Sequence, residues 1–278
     1  MLSPKFSIVL APTGMIPTKS QTPYVPVSPK EIASDVHRCS QIGITSVHIH
    51  ARDDSGAPDW RMEKYQEIVY AVKSLVPEIL INVSTSGRSW SELEKRADCL
   101  ALQGDLRPDL ASLTLSSLNF LSGPSVNSPD IIYNLARMML ERDITPELEI
   151  FDLGMINMAN VLQKKGLLPE AIVANLFMGN IAGVQPSPSE LGIMVDRLPT
   201  GTHWSGAGIG EFRDQAHAIT LGAGGSIRVG LEDGIYLDRS KTQLATNELL
   251  VERVHQMAGL LDRHLMTSSE FKSEILKK

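Results

Sequence analysis

Hydrophobic and polar positions along the chain follow two alternating patterns. Short apolar runs rich in β-branched residues recur, and each is followed by a segment in which apolar residues return about every 3.6 positions. The first pattern predicts strands buried on both faces, and the second predicts amphipathic helices packed against them. Strands are predicted at 6–11, 45–51, 79–84, 110–115, 147–153, 172–178, 203–205 and 226–231.

Helix-start signals separate these strands. Ser28-Pro-Lys-Glu31 and Ser187-Pro-Ser-Glu190 combine a capping hydroxyl with Pro at the first helical position and Glu three residues after the cap. Ser91-Trp-Ser-Glu94 and Ser128-Pro129 predict two further starts. The helices are therefore expected from Ser28 to Gly43, at 62–76, after Ser91, after Ser128, around 161–165, from Ser187 to 198, at 212–221 and at 247–265.

The alternation of eight strands with helices predicts an α/β protein, a closed (β/α)₈ TIM barrel that forms a single domain over residues 1–278. An open, doubly wound sheet would produce the same alternation. The barrel is preferred because polar residues stand at the carboxyl ends of many strands and are not confined to one switch point. No linker or internal repeat divides the chain.

Composition narrows the class of protein. The chain has 278 residues, of which 42% are hydrophobic and 21% charged, which is typical of a globular enzyme. A formal net charge of −6 without a basic run argues against a nucleic-acid partner. The apolar run within residues 1–10 is too short for a signal peptide or a membrane span, so a cytoplasmic location without a membrane partner is expected. Cys39 and Cys99 fall on predicted helices, as expected for buried thiols in a reducing compartment.

The second predicted strand carries the first candidate chemistry. His48 and His50 lie two residues apart, so both side chains leave the same face of a strand. Catalytic zinc often binds two His and one carboxylate and keeps one position open. Glu232, just after the eighth predicted strand, is the expected third ligand, and Zn²⁺ is the favoured metal, with another divalent metal possible. Two buried histidines bonded to the backbone and a solvated acid at a turn are the plainer alternatives.

Other polar residues stand where the barrel would gather them, at the carboxyl ends of strands. Asp233 is expected to remain ionised beside a cation and Arg228, and so to be available as a base. Glu147 and Glu149 lie two apart on the fifth predicted strand, and a carboxylate that points into the barrel must be paired, so at least one of the two is expected to be a site residue or half of an ion pair. Gly206–Gly210 could hold a phosphate at a helix start. The remaining strand-end residues are Thr13, Arg52, Ser84, Thr85, Ser112, Thr114, Ser116, Asp152, Asn175 and Ser205.

Several long motifs resemble those of a known family. The chain is similar to the β-keto acid cleavage enzymes, typified by 3-keto-5-aminohexanoate cleavage enzyme, from about residue 8 to residue 270. The likeness lies in Val47–Asp53, Asn82–Gly87, Ala111–Leu113, Leu118–Phe120, Pro146–Gly154, Trp204–Gly210, Ile227–Asp233 and Ala245–Asn247.

The resemblance implies a zinc-dependent barrel that reacts a β-keto acid with acetyl-CoA and forms acetoacetate and a new CoA thioester. It places the metal ligands at His48, His50 and Glu232. It also implies active-site positions, which we expect to be catalytic at Asp233, Arg228, Glu149 and Ser84, and substrate-binding at Ser112, Thr114, Thr13 and Ile16. A homo-oligomer, either a dimer or a tetramer, is expected.

Departures from the family pattern concern the substrate. Ile16 replaces the Glu that receives the ammonium group in the aminohexanoate enzyme, and an aliphatic residue cannot satisfy a cation. Ser112, Ser226 and Gly234 replace a Thr, a His and an Asn. We therefore expect the family chemistry with an uncharged or apolar β-keto acid. A metal-dependent barrel hydrolase and a non-catalytic, metal-stabilised binding protein are the alternatives.

Overall fold

The computed structural model describes residues 4–278 and contains a closed barrel of parallel strands. Each strand pairs with the next one in sequence, and the eighth pairs with the first, which confirms the predicted TIM barrel. The single domain over 1–278 stays a prediction, and its first three residues lie outside the described residues. The strands, β1 to β8, are Ile8–Leu10, Ser46–Ile49, Leu80–Val83, Leu110–Thr114, Thr145–Ile150, Val173–Met178, His203–Gly208 and Ser226–Val229.

Helices alternate with these strands and cover the barrel. Helices α1 to α8 are Pro29–Ile42, Met62–Leu75, Leu93–Ala97, Pro129–Glu141, Leu153–Lys164, Pro188–Arg197, Arg213–Gly222 and Asn247–Gly259. Short helical turns lie at Asp98–Ala101, Gly104–Leu106, Gly210–Phe212, Ser268–Glu270 and Phe271–Ile275. Three additional two-stranded pairs join Lys5–Phe6 to His264–Leu265, Ala51–Arg52 to Pro58–Asp59, and Leu118–Phe120 to Gly123–Ser125. Within residues 4–278, no helix has the length and apolar character needed to cross a bilayer.

The predicted caps are largely confirmed. At Ser28 the capping box is complete, because its hydroxyl accepts from the Glu31 N–H at 3.3 Å and Glu31 accepts from the Ser28 N–H at 3.0 Å. Ser128 and Ser187 also cap their helices. The Ser91 cap is wrong, since α3 begins at Leu93 and is preceded by Glu92 without a side-chain cap bond.

Two helix boundaries differ from the prediction for local reasons. Helix α5 begins at Leu153, well before 161, because the Asp152 carboxylate accepts the Met155 N–H at 2.9 Å and caps it. Asp152 is therefore a cap and does not end a strand at the site. Helix α8 ends at Gly259, because Asp262 takes a left-handed backbone (φ 50°) and the following residues pair with the N-terminal strand.

The two faces of the barrel strands differ in chemistry. Alternate strand residues face outward and form, with the helices, the main apolar core, including Val47, Ile49, Ile81, Val83, Leu113, Leu148, Ile150, Ala174 and Leu176. Cys39 and Cys99 are buried within the same core, as predicted. At the strand starts, Leu80, Leu110 and Val173 pack against Met266, Phe271 and Leu276 of the C-terminal segment. The amino end of the barrel is thus sealed by apolar contacts, and polar inward residues are directed to its carboxyl end.

Candidate active site

His48, His50 and Glu232 converge at the carboxyl end of the barrel. The Nε2 atoms of His48 and His50 lie 3.1 Å apart. Glu232, in the turn after β8, places Oε1 at 3.2 Å from His50 Nε2 and Oε2 at 3.9 Å from His48 Nε2. Among residues 4–278 this is the one cluster of His, Cys, Asp or Glu whose ligand atoms all lie within 4.8 Å of one another.

The donor set fits a divalent cation. Two ligand atoms on a tetrahedral zinc with bonds of about 2.0–2.1 Å lie roughly 3.3 Å apart, close to the observed nitrogen separation. Burial and Arg228 hold the pKa of His48 well below its usual range, which keeps the imidazole neutral, the form that binds metals. Burial would raise the pKa of Glu232, but Arg228 and both histidines hold it well below its usual value. The buried Glu232 Oε2 also has no hydrogen-bond partner within the described chain.

The loop after β1 supports Glu232 directly. Gly14 has a left-handed backbone (φ 64°), and a Cβ there would lie 2.5 Å from Glu232 Cγ. Arg52 holds this loop, because its guanidinium donates to the carbonyls of Gly14 at 2.8 Å and Pro17 at 3.0 Å. Arg52, which the sequence placed at a strand end of the site, is therefore a clamp for the loop that carries Ile16.

Arg228 lies beneath the cluster and is buried among carboxylates. Its Nε donates to Asp233 Oδ2 at 3.2 Å, and its Nη2 lies 2.9 Å from Glu232 Oε1. Its Nη1, 4.0 Å from Glu149 Oε1, has no hydrogen-bond partner among the described residues. Burial would lower the pKa of Arg228, but the surrounding carboxylates, Asp233 foremost, raise it above its usual value. The group is thus a permanent cation that offers one free donor.

Asp233 is more basic than an exposed carboxylate. Burial raises its pKa to about 6, and the neighbouring Arg228 opposes this rise. At neutral pH the group remains mostly ionised, in line with expectation, yet it accepts a proton more readily than an ordinary Asp. A carboxylate with this balance suits general base chemistry.

These groups open onto a cavity of about 330 Å³. Its base is polar and includes His50, Glu232, Asp233 and Arg228, with Ser84, Thr114 and Glu149 on its sides. The Thr114 hydroxyl donates to Glu149 Oε2 at 2.6 Å, so this inward carboxylate is hydrogen-bonded, and its role as a site residue stays a prediction. The outer part is largely apolar and includes Ile16, Leu118, Phe120, Leu121 and Ile181. The volume is sufficient for a small organic acid.

Two of the expected substrate-binding residues lie away from this cavity lining. The Thr13 hydroxyl donates to the Pro26 carbonyl at 2.9 Å. The Ser112 hydroxyl accepts from the Thr85 N–H at 3.3 Å, and the Ser112 carbonyl accepts from the Thr85 hydroxyl at 2.6 Å. Both side chains are buried and satisfied locally. Their role in substrate binding stays a prediction.

The departures from the family pattern occupy different places. Ile16 lines the cavity, whereas the Ser226 hydroxyl lies 3.1 Å from His203 Nε2 at the amino end of the barrel. Gly234 packs against Gly210, where a Cβ on Gly234 would lie 3.4 Å from the backbone.

Gly206 and Gly208 leave room for α7, because a Cβ on either would overlap Thr220 or Arg213. These two glycines serve close packing of strand and helix, and the phosphate site at Gly206–Gly210 stays a prediction.

A row of aromatic rings forms one wall of the cavity and was not predicted. Phe151 stacks on Phe177 at 4.5 Å and meets Phe120 edge-on at 5.7 Å. Arg228 Cζ lies 4.9 Å from the Phe177 centroid at the inner end, and Arg88 Cζ lies 3.6 Å from the Phe120 centroid at the outer end. Phe151 lies two residues after Glu149, so the two-residue period of a strand would direct both side chains to the same inward face. The sequence therefore contained a signal for this aromatic wall. No such signal was present for Arg88, because it lies in the loop after Asn82–Gly87, where no periodic pattern predicts the direction of a side chain.

Comparisons with known proteins agree with this arrangement. A sequence profile described as "beta-keto acid cleavage enzyme" matches residues 5–277. The 3-keto-5-aminohexanoate cleavage enzyme of Fusobacterium nucleatum is 33% identical over 270 residues, which cover 96% of each chain. The 3-oxoadipate:acetyl-CoA acetyltransferase of Cupriavidus necator is 34% identical over 267 residues, covering 95% of this chain and 92% of the relative. The structure of apo ObcA shares the fold with a TM-score of 0.83 at 21% identity, and the match covers 92% of this chain and 66% of that one.

Proposed function

Because the chain belongs to the beta-keto acid cleavage enzyme family, we propose that it transfers acyl groups between a β-keto acid and acetyl-CoA, giving acetoacetate and a new acyl-CoA. The chain is an acyltransferase that cleaves a carbon–carbon bond. Zn²⁺ is the proposed metal, held by His48, His50 and Glu232. The cytoplasmic location and the dimeric or tetrameric homo-oligomer stay predictions.

One observation carries the proposal. His50 and Glu232 line one cavity together with the basic carboxylate of Asp233 and the free donor of Arg228, and the buried His48 completes the donor set 3.1 Å from His50. Claisen-type exchange of an acyl group needs a base at the carbon between the two carbonyls and positive charge near the oxygens. The metal, when bound, would supply a Lewis acid for the β-keto oxygen. The hydrolase alternative is not favoured by the relatives of this chain.

The chain's own residues then have separable roles. Asp233 would take the proton from the carbon between the keto group and the carboxylate. That carbon forms a bond to the acetyl carbonyl carbon, whose bond to sulfur breaks and releases the CoA thiolate. The thiolate then attacks the original keto carbon, the bond between that carbon and the central carbon breaks, and the central carbon regains the proton from Asp233, which leaves acetoacetate and the new acyl-CoA. Arg228 Nη1, the unpartnered donor, would bind the substrate carboxylate. Glu149, with Thr114 bonded to it, and Ser84 line the sides of the cavity as proposed catalytic and positioning groups.

An activity panel tests the proposed reaction. Incubating the purified protein with β-keto acids of increasing substituent size and acetyl-CoA is expected to yield acetoacetate and one new CoA thioester per acid consumed. Mass spectrometry of the CoA pool measures both the product and its stoichiometry. The control omits acetyl-CoA. Loss of the acid without acetyl-CoA would favour a hydrolase, and no turnover of any acid would overturn the proposal.

Ile16 is expected to disfavour β-keto acids that carry an ammonium group. Its side chain lines the cavity but is 48% exposed, so solvent screens part of the penalty for an unpaired cation. We expect kcat/KM for an amino-substituted acid to be about tenfold below that of its alkyl analogue. Ile16→Glu should narrow or reverse this ratio, and Ile16→Gln, polar but uncharged, is the matched control. Equal kcat/KM values for both acids in the wild-type protein would contradict the role of Ile16.

A further inference from the structure

Arg88 is a cation in the cavity wall that has no part in the chemical step proposed above. It follows β3, is half-buried, and lies with its guanidinium Cζ over the Phe120 ring, 3.6 Å from the centroid, which is the separation of a stacked contact. Its side chain has no hydrogen bond or ion pair to any residue in the described part of the chain. Every other buried or half-buried arginine of residues 4–278 donates at least one hydrogen bond from its side chain.

The stacked geometry leaves the donors of Arg88 available. A guanidinium stays charged at any physiological pH and carries five N–H groups in its plane. Stacking covers one face, so these N–H groups remain directed outward from the ring edge. Glu232 and Glu149 attract the group only from a distance, and both already contact Arg228. Arg96, a nearby arginine, shows the contrast, because it donates to Thr85, Val126 and Asn127 and serves the fold.

Resting on the proposed function, we propose that Arg88 binds an anionic oxygen group of a ligand, either a carboxylate or a phosphate, at the outer end of the aromatic row. Phe120, Phe151 and Phe177 then separate two anion-binding arginines, with Arg228 at the inner end. A planar fork that is stacked on an aromatic ring is preorganised for bidentate binding of such a group. Two ligands of the reaction could supply it. One is a β-keto acid with a second carboxylate at its far end, and the other is acetyl-CoA through its phosphates.

Kinetics of Arg88→Gln distinguish these sources. The variant is assayed with acetyl-CoA and two six-carbon acids: 3-oxoadipate, which has a second carboxylate, and 3-oxohexanoate, which ends in a methyl group. Recognition of the far carboxylate predicts a loss of about 10- to 100-fold in kcat/KM for 3-oxoadipate alone. That outcome would also replace the expectation of an uncharged substituent. Recognition of a phosphate predicts that the KM for acetyl-CoA rises equally with both acids. The KM for acetyl-pantetheine, which lacks the phosphates, should then be unchanged.

Equilibrium binding separates this assignment from the proposed reaction. Calorimetry measures CoA and 3-oxoadipate binding to the wild-type protein and to Arg88→Gln. If the variant binds these ligands more weakly but the wild-type protein shows no turnover, the anion site is supported and the proposed reaction is overturned. Unchanged kinetics and binding in the variant, or no binding by the wild type, would overturn the anion site.

Two further variants control for charge and folding. Arg88→Lys should restore part of the affinity, because lysine keeps the charge and loses the planar fork. Arg137→Gln removes an exposed arginine of α4 whose side chain bonds only Asn134 among residues 4–278, and it should behave like the wild type. Melting temperatures measured on the same preparations show whether each variant is folded.

Discussion

Replacing Asp233 with Asn is expected to lower kcat by about 10²- to 10⁴-fold, the usual contribution of a general base. Asn has nearly the same shape but cannot accept a proton from carbon. The metal content should be unchanged, because His48, His50 and Glu232 remain. Steady-state kinetics and elemental analysis on one preparation measure both quantities.

The pH profile provides an independent check on the same carboxylate. Since burial raises the pKa of Asp233 to about 6, the ionised, basic form is lost as the pH falls through that value. The wild-type kcat/KM should therefore decline on the acid side near pH 6. If the residue only pairs with Arg228 to close the barrel, Asp233→Asn would lower the melting temperature and leave turnover per folded molecule nearly normal. Asp214→Asn is the matched control, because Asp214 pairs with Arg213 and Arg253 outside the cavity.

Replacing both His48 and His50 with Ala should abolish metal binding. The metal content measured by elemental analysis is expected to fall from near one metal per chain to near zero, because Glu232 alone is a weak ligand. Zinc at about 100 times its Kd should stabilise the wild-type protein by roughly 2.7 kcal/mol, and this stabilisation should disappear in the double variant. Thermal melts with and without zinc measure it.

A histidine outside the cluster controls for the substitution itself. His255 Nε2 donates a hydrogen bond to the Gly43 carbonyl, 2.8 Å away, and the ring packs against Phe6. His255→Ala should lower stability and keep the metal. A metal content that is the same in the wild type and the double variant would remove His48 and His50 as ligands.

The sequence predicted the barrel well because its signals are local. Seven of the eight strands form where apolar runs predict them, and Ser28, Ser128 and Ser187 cap the expected helices. The sequence also predicted that His48, His50 and Glu232 lie close together, since the carboxyl ends of the strands meet at one end of a barrel. The seventh strand, expected at 203–205 in a segment without an apolar run, also forms, although its glycines favour neither strand nor helix.

Tertiary contacts decided what the sequence did not show. Whether Thr13 and Ser112 face a cavity depends on neighbours such as Pro26 and Thr85, which no periodic pattern specifies. Asp152 could end a strand or cap a helix by type, and its contact with Met155 selects the cap. Arg88 stands in a loop, where side-chain direction follows from the folded path and not from residue type.

Closure of β8 on β1 has a consequence for the order of folding. His48 lies on β2 and His50 directly follows it, and the carboxylate comes from the turn after the last strand, so the ligand set spans nearly the whole chain. Contacts of such high sequence separation form slowly, because the entropy of the intervening loop must be lost first. During synthesis, the histidine pair emerges long before Glu232. The complete metal centre is therefore a late product of folding, and a nascent chain that has not reached β8 holds only two of the three ligands.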